Sequence, residues 1–168
     1  MTSREELTQD LVRTLFSYDQ GTGDLVWKAP RSNRIKPGMP VKNVDSKGYF
    51  RVTIGCSQYR VHRVIWLYVH GTFPSGLIDH INRDRTDNRL CNLRHCTDFQ
   101  NVGNRALHRN NKTGFKGVFV SKPGKFTAQI MHNRKARHIG YFKTPEEAHA
   151  AYMEEARKIF GEFASSGK

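Results

Sequence analysis

The pattern of apolar and polar positions in the middle of the chain predicts a strand, a loop, a second strand and a helix. Leu77 to His80 begins apolar and ends polar, and a polar loop follows from Asn82 to Arg89. Leu90 to Cys96 alternates apolar and polar residues, which is typical of a strand. Thr97 is suited to cap a helix, because Gln100 stands three residues later at the capping-box position.

The residues before this segment predict a short helix, two hairpins and a second helix. Ser3 is a candidate N-cap, and apolar residues at helical spacing follow it at Leu7, Leu11 and Leu15. Glycines between apolar strands predict a hairpin over Tyr18–Trp27, and Tyr49–Val61 is typical of another. The apolar run from His62 to Val69 favours a packing helix that ends at Gly71, with a central strand as the alternative.

The last third of the chain predicts three short strands and a helix. Turns are expected at Lys122–Gly124 and at His132–Arg134. Thr144 is a candidate N-cap, because a proline and two glutamates follow it. The polar, basic residues from Leu107 to Asn111 indicate a linker before these strands.

Composition narrows the class of protein. The chain has 168 residues, a net charge of +13, 37% hydrophobic residues and a mean hydropathy of −0.68. No apolar run reaches the roughly 18 residues of a membrane span, and the N-terminus lacks a signal-peptide pattern. Three cysteines argue against a disulfide framework. We therefore expect a cytoplasmic protein with no membrane association, and the sequence indicates no protein partner.

The charge is concentrated in a way that favours a nucleic-acid partner. From Lys112 to Lys143 the chain carries many basic residues, and no acidic residue appears between Asp98 and Glu146. A solvated basic surface is the simplest interpretation of such a run. Its length without acids favours contact with a polyanion instead.

Four polar residues of the central segment have the chemistry of a phosphodiester-cleaving site. Asp79 is a carboxylate beside His80, a potential general base, and Asn92 and Asn101 supply amides. A carboxylate and an amide oxygen suit a hard cation such as Mg²⁺. An Asp and a His that are adjacent can share a site only where the strand ends or bulges. The alternative is a capped turn without catalytic function.

Two other groups in this region favour structural interpretations. Asp87-Asn88 is typical of a turn, in which Asn88 tolerates left-handed geometry. Cys91, His95 and Cys96 could bind zinc, but only the distant Cys56 would complete a set of four ligands. We therefore do not predict a zinc site.

The segment HRVIWLYVHGTFPSGLIDHINRDRTDNRLCNLRHCT resembles the HNH nucleases of the phage and intron-homing type, which have a ββα-metal core. The resemblance implies that His80 activates water, that Asp79 and Asn101 hold one divalent metal, and that Asn92 steadies the loop carrying His80. The metal would be Mg²⁺, with Mn²⁺ as the alternative. Many members carry a histidine at the third motif position, where this chain has Asn101.

The segment TGFKGVFVSKPGKFTAQIMHNRKARHIGYFKTPEEAHAAYMEEARKIFGEFA resembles the Apetala/ethylene-response-factor DNA-binding domain. The resemblance implies a three-stranded sheet that enters the major groove of double-stranded DNA. The DNA-binding candidates by position are Lys116, Lys125, Gln129, Arg134, Lys135 and Arg137. Phe119 and Phe126 stand where plant members carry Arg or Trp, so the plant base preference should not be transferred.

Together these patterns predict an α+β fold with three parts. They are an N-terminal accessory region (1–60), an HNH nuclease core (61–110) and a DNA-binding module of a small three-stranded antiparallel sheet with a helix (112–168). The predicted function is a metal-dependent, homing-type endonuclease acting on double-stranded DNA. The alternatives are a non-catalytic DNA-binding regulator on a decayed nuclease scaffold and, less favoured, an RNA-binding protein.

Overall fold

The computed structural model describes residues 7–30, 32, 34–132 and 135–167. The helices are α1 (Gln9–Leu15), α2 (Val61–His70), α3 (Asp98–Gly103) and α4 (Pro145–Phe160). The strands are β1 (Phe16–Tyr18), β2 (Leu25–Trp27), β3 (Arg51–Ile54), β4 (Ser57–Arg60), β5 (Leu77–His80), β6 (Leu93–Cys96), β7 (Val118–Lys122), β8 (Lys125–His132) and β9 (Lys135–Phe142). This mixture of helices and antiparallel strands is consistent with the predicted α+β class.

The chain divides into two compact units, 1–96 and 97–168. Among the described residues, the first unit contains three two-stranded sheets, β1-β2, β3-β4 and β5-β6, and the second contains one three-stranded sheet in the order β7-β8-β9. The division differs from the predicted boundary near residue 111. It falls before α3, because Phe99 on this helix packs its ring against Phe160 of α4, with the centroids 5.1 Å apart.

The predicted linker lies inside the second unit. The Leu107 N–H donates to the Gly167 carbonyl at 2.9 Å. The Asn111 amide donates to the Phe115 carbonyl at 2.9 Å and, at its oxygen, accepts from Thr113 N at 3.0 Å. These bonds attach Leu107 to the C-terminal residues and Asn111 to the segment just before β7. Residues 107–111 are therefore part of the second unit, and their polar composition did not indicate a linker.

In the first unit, α1, α2 and the hairpins enclose one apolar core. Its fully buried members include Val12, Phe16, Leu25, Val64 and Ile65. α2 is the predicted packing helix: it ends at Gly71, which has φ +80° and donates its N–H to the Leu67 carbonyl. The glycine allows this left-handed C-cap, where a side chain would be strained. The strand alternative for this segment was therefore wrong.

The N-terminal helix begins later than predicted. The described helix starts at Gln9, and the Thr8 hydroxyl accepts a hydrogen bond from Leu11 N. The predicted cap at Ser3 lies outside the described residues. The hairpin predicted over Tyr18–Trp27 is present as β1-β2, in which Phe16 pairs with Trp27 and Tyr18 with Leu25.

In the second unit, α4 packs on one face of the sheet. Thr144 caps the helix through a capping box with Glu147, and Pro145 occupies its first turn, as predicted. The buried residues of this layer are Val118, Ala128, Ile130, Ala148, Tyr152, Ala156 and Phe160. Of the two predicted turns, Lys122–Gly124 joins β7 to β8, whereas Asn133 and Arg134 lie outside the described residues.

Among the described helices, none combines the length and the apolar character that a membrane span requires.

Candidate active site

His80 is the last residue of β5, where the strand pair opens into the polar loop. β5 and β6 are antiparallel, with Asp79 opposite Arg94 and His80 opposite Leu93. Neighbouring residues on a strand point to opposite faces, so Asp79 and His80 have different surroundings. Both side chains are buried, with 8% and 4% of their residue surface exposed.

The His80 ring is held by a buried amide. Its Nε2 lies 3.1 Å from Oδ1 of Asn88. The rings of His62 and Tyr49 pack around it, with centroids 5.1 Å and 5.8 Å from that of His80. Burial lowers the pKa of His80, because desolvation disfavours the imidazolium, while the hydrogen bond to Asn88 and nearby carboxylates partly offset this. The ring is therefore neutral at physiological pH and able to accept a proton.

Asn88 is a part of this site that the sequence interpretation missed. Asn88 does not have the left-handed geometry considered for it, because Arg83 is the non-glycine residue with positive φ among those described. Asn88 is instead 1% exposed and directs its side chain at His80. Its position eight residues after His80 in a polar loop gave no signal of burial.

Asn92 connects the return strand to the start of the loop. Its amide nitrogen donates to Oδ1 of Asn82 and to the Asp87 carbonyl, at 2.9 Å and 2.8 Å. Its amide oxygen accepts from Asn82 N at 2.9 Å, and its carbonyl accepts from Ile81 N at 2.9 Å. Three of these bonds fasten Ile81 and Asn82, the two residues that follow His80, and the fourth reaches Asp87 on the far side of the loop. The steadying role expected of Asn92 stays a prediction, and this geometry is what that role requires.

The far side of the loop is fixed by Asp87. This carboxylate accepts from Nε and Nη2 of Arg89 at 2.8 Å and 2.6 Å, and from Nδ2 of Asn82 at 2.7 Å. The Arg89 hydrogen bond contributes most to lowering the pKa of Asp87, to about 2. The carboxylate therefore remains ionised and keeps its hydrogen bonds to Arg89 and Asn82 over a wide pH range.

Asp79 forms an ion pair with Arg94 across the strand pair. Oδ2 of Asp79 accepts from Nε and Nη2 of Arg94 at 3.0 Å and 2.9 Å. Both side chains are largely buried, at 8% and 15% exposure. Buried pairs of this kind are costly to break from one side. A cation at Asp79 would have to share this carboxylate with Arg94 or displace the guanidinium.

Asn101 lies on α3, which begins after the Thr97 cap. The predicted capping box is present: the Thr97 hydroxyl accepts from Gln100 N, and the Gln100 side chain accepts from Thr97 N. Asn101 belongs to the second unit, whereas Asp79, His80 and Asn92 belong to the first. Its role as a metal ligand stays a prediction.

The two predicted metal ligands are oxygen donors, the type that hard divalent ions prefer. Asp79 and Asn101 would offer one carboxylate and one amide oxygen, which suit Mg²⁺ or Mn²⁺ rather than zinc. Within the part of the chain that the structure describes, no three His, Cys, Asp or Glu side chains gather as a metal site. His95 is occupied otherwise, since its Nε2 accepts from Gly76 N at 3.1 Å.

Comparisons with known proteins found a similarity to nucleases. Residues 59–102 match the family model described as HNH endonuclease. The matched residues contain all four predicted site residues. This match and the relative below are what the chain is similar to, and both are described as HNH endonucleases.

The relative is an uncharacterized HNH endonuclease of Acanthamoeba polyphaga mimivirus, 31% identical over 124 residues. The alignment covers 73% of this chain, and the chain spans 64% of the relative's length. No solved structure matches the chain significantly. Nothing in these comparisons supports the Apetala/ethylene-response-factor resemblance or a homing origin.

The predicted DNA-binding residues lie in three different environments of the second unit. Lys125 and Gln129 belong to the sheet face turned away from α4, which we call the outer face. There the aromatic residues Phe119 and Tyr141 flank Thr127 in register, and Lys125 Nζ lies 4.4 Å from the Tyr141 ring centroid. Phe119, Met131 and Tyr141 are exposed on this surface.

The remaining candidates lie elsewhere. Lys135 and Arg137 pair with His132 and Ile130 on the face that packs α4, and Arg137 contacts Glu155 of α4 at 3.4 Å. Lys116 donates from Nζ to the carbonyls of Gly103 and Ser165, at 2.7 Å and 3.2 Å, and so ties parts of the unit together. Arg134 lies outside the described residues.

Proposed function

We propose that the chain is a metal-dependent endonuclease that hydrolyses phosphodiester bonds of double-stranded DNA. The supporting observation is the buried, neutral His80 at the open end of β5, with Nε2 held by Asn88 and the following loop fastened by Asn92. Such a histidine is a suitable general base. The family match and the basic composition favour DNA as the polyanion.

In the proposed reaction, the neutral His80 ring accepts a proton from a water molecule. The water oxygen forms a bond to phosphorus while the bond to the leaving sugar oxygen breaks. The leaving oxygen then takes a proton from solvent. A divalent metal, when bound by Asp79 and Asn101, would act as a Lewis acid that neutralises charge on the leaving oxygen. Mg²⁺ is the expected ion because both donors are hard oxygens.

We also propose that the outer face of the β7-β8-β9 sheet binds duplex DNA. Lys125 and Gln129 carry the polar chemistry, and Phe119 and Met131 offer apolar contacts of the kind that a thymine methyl accepts in the major groove. The chain has no acidic residue between Asp98 and Glu146, so the acids of the unit are confined to or near its helices. Lys135 and Arg137, on the other face, would serve phosphate attraction at most.

Supercoiled plasmid tests the proposal. The purified protein with Mg²⁺ should convert supercoiled DNA to nicked or linear product, and chelation with EDTA should stop the reaction. The second candidate function is a non-catalytic DNA-binding regulator. It would be favoured if the protein bound duplex DNA but did not cleave it with Mg²⁺ or with Mn²⁺. The intact His80–Asn88 contact counts against that candidate, because a decayed site has no need of a buried, oriented base.

A further inference from the structure

We propose that the hairpin β1-β2, which lies outside the matched family segment, is a positioning element of the active site. It holds Asn88, and Asn88 fixes the orientation and the hydrogen position of the His80 ring. The expected effect on catalysis rests on the proposed function. The effect of the hairpin on the His80 ring can be measured without any cleavage of DNA.

The first step is a pair of contacts between the hairpin and the Asn88 backbone. The Tyr18 hydroxyl, at the end of β1, donates to the Asn88 carbonyl at 3.0 Å. The turn of the same hairpin brings Gly23 against Asn88 and Arg89. The family segment starts at Tyr59, so both contacts come from residues that the family model does not include.

Gly23 is the point of closest approach. It has φ +78°, and its N–H donates to the Asp19 carbonyl at 2.9 Å to close the turn. A Cβ at this position would lie 2.5 Å from Arg89 N and 2.7 Å from the Asn88 carbonyl carbon. Both are backbone atoms, so a side chain could fit only if the Asn88 segment moved away from the hairpin.

The second step leads from Asn88 to the base. The Asn88 amide nitrogen donates to the Thr86 carbonyl at 3.3 Å, which directs the amide oxygen at Nε2 of His80. An amide oxygen only accepts hydrogen bonds, so in the neutral ring Nε2 carries the hydrogen. The lone pair that takes the proton from water is then on Nδ1. Displacement of Asn88 would permit the other tautomer, in which Nδ1 is protonated and unable to act as the base.

The test compares Gly23→Ala with Gly55→Ala in the full-length protein. Gly55 also occupies a hairpin turn at positive φ, +59°, but a Cβ there would meet nothing within 4 Å. Both variants therefore carry backbone strain, and only Gly23→Ala pushes on Asn88. The primary readout is the ¹⁵N NMR pattern of the His80 ring, assigned by its loss in His80→Gln, at a pH where the ring is neutral.

We expect wild type and Gly55→Ala to show the Nε2-protonated tautomer. Gly23→Ala should show a mixture of tautomers, with kcat for nicking lowered between about 10- and 100-fold and KM nearly unchanged. Tyr18→Phe, which removes one hydrogen bond, should change the tautomer in the same direction by less. If Gly23→Ala does not fold, the tautomer of Tyr18→Phe tests the inference in its place.

Two results would overturn the inference. One is a folded Gly23→Ala, or in its place Tyr18→Phe, that keeps the wild-type tautomer and kcat. The other is an equal change in Gly55→Ala, which would assign the effect to general strain. If the wild-type protein does not nick DNA, the proposed function fails, and the NMR comparison still decides whether the hairpin orients His80.

Discussion

His62 shows how a single buried residue links the candidate site to stability. It lies at the start of α2, its ring packs on His80, and its Nδ1 has no hydrogen-bond partner among the described residues. Burial is the main reason that its pKa falls to about 3, with the neighbouring His80 second. Protonation of this buried ring therefore opposes folding.

Acidification should therefore destabilise the protein through His62. Below pH 6.5 the unfolded chain binds a proton at His62 that the folded chain excludes, so stability is lost as pH falls from about 6.5 toward 3, by up to about 1.4 kcal/mol per pH unit. His62→Phe should flatten this slope between pH 7 and 4.5 in urea unfolding. The carboxylates with lowered pKa contribute mainly below about pH 4. Parallel curves for wild type and His62→Phe would contradict the assignment.

Arg94 should control both stability and metal demand at Asp79. Arg94→Met leaves a buried carboxylate without its cation, which costs about 3–5 kcal/mol in comparable pairs. If Asp79 is a metal ligand, the same change removes a competitor for it, so half-maximal nicking should need less Mg²⁺. The measurements are urea unfolding and a Mg²⁺ titration of nicking.

Lys42→Met is the matched control for Arg94→Met. It removes a basic residue from an ion pair with Asp24 that is more exposed and lies 3.4 Å apart. It should change stability by less than about 1 kcal/mol and leave the Mg²⁺ dependence unchanged. An unaltered Mg²⁺ requirement in Arg94→Met would remove Asp79 from the proposed ligand set.

At the scale of single residues, sequence patterns identified the chemistry but not the partners. Residue types at informative spacing selected Asp79, His80 and Asn92 as candidates, and their roles stay predictions. Asn88 and Arg94 could not be found in the same way, because their roles depend on which strand face and which loop side they occupy. Lys116 illustrates the converse: its charge suggested DNA, but its ammonium group bonds two carbonyls of its own unit.

At the scale of elements, the sequence predicted the ends of helices correctly where a capping residue or a glycine fixes the backbone. The capping box at Thr97, the N-cap at Thr144 and the C-cap at Gly71 all appear where the sequence predicts them. The faces of the three-stranded sheet were harder to predict. A bulge between Ala128 and Gln129 shifts the register, so Gln129 pairs with His138 and Ile130 with Arg137.

The two faces of this sheet should differ in their effect on DNA binding. Lys125→Ala and Gln129→Ala change the outer face and should weaken binding to duplex DNA, with a smaller salt slope for Lys125→Ala if it contacts a phosphate. Arg137→Ala, on the α4 face, should have a smaller effect. Fluorescence anisotropy at several salt concentrations measures both quantities. Equal losses from all three variants would contradict the assignment of faces.

At the scale of the whole molecule, the packing of α3 against α4 determines what a truncation should do. A deletion of residues 112–168 removes α4, against which α3 packs through Phe99 and Gly103. A six-residue helix is not stable without tertiary contacts. We therefore expect α3 to unfold in the truncated protein, with rapid amide exchange of Asn101.

The truncated protein should also bind duplex DNA weakly, with a shallower salt dependence, because each lost phosphate contact removes about 0.9 from the slope of log affinity against log salt. If Asn101 is a ligand, nicking should fall as well. Hydrogen exchange, circular dichroism and a plasmid assay separate these effects. Retained protection of α3 in the truncated protein would show that the helix does not depend on α4.

The most direct test of the central claim compares His80→Ala with His70→Ala in single-turnover nicking of plasmid DNA with Mg²⁺. His70 is an exposed histidine of the same unit, at the end of α2. We predict that His80→Ala lowers the nicking rate by about 10²–10⁴-fold with DNA affinity nearly intact, because it removes a general base. His70→Ala should nick at the wild-type rate. Nicking by His80→Ala at the wild-type rate over a range of pH would contradict the account.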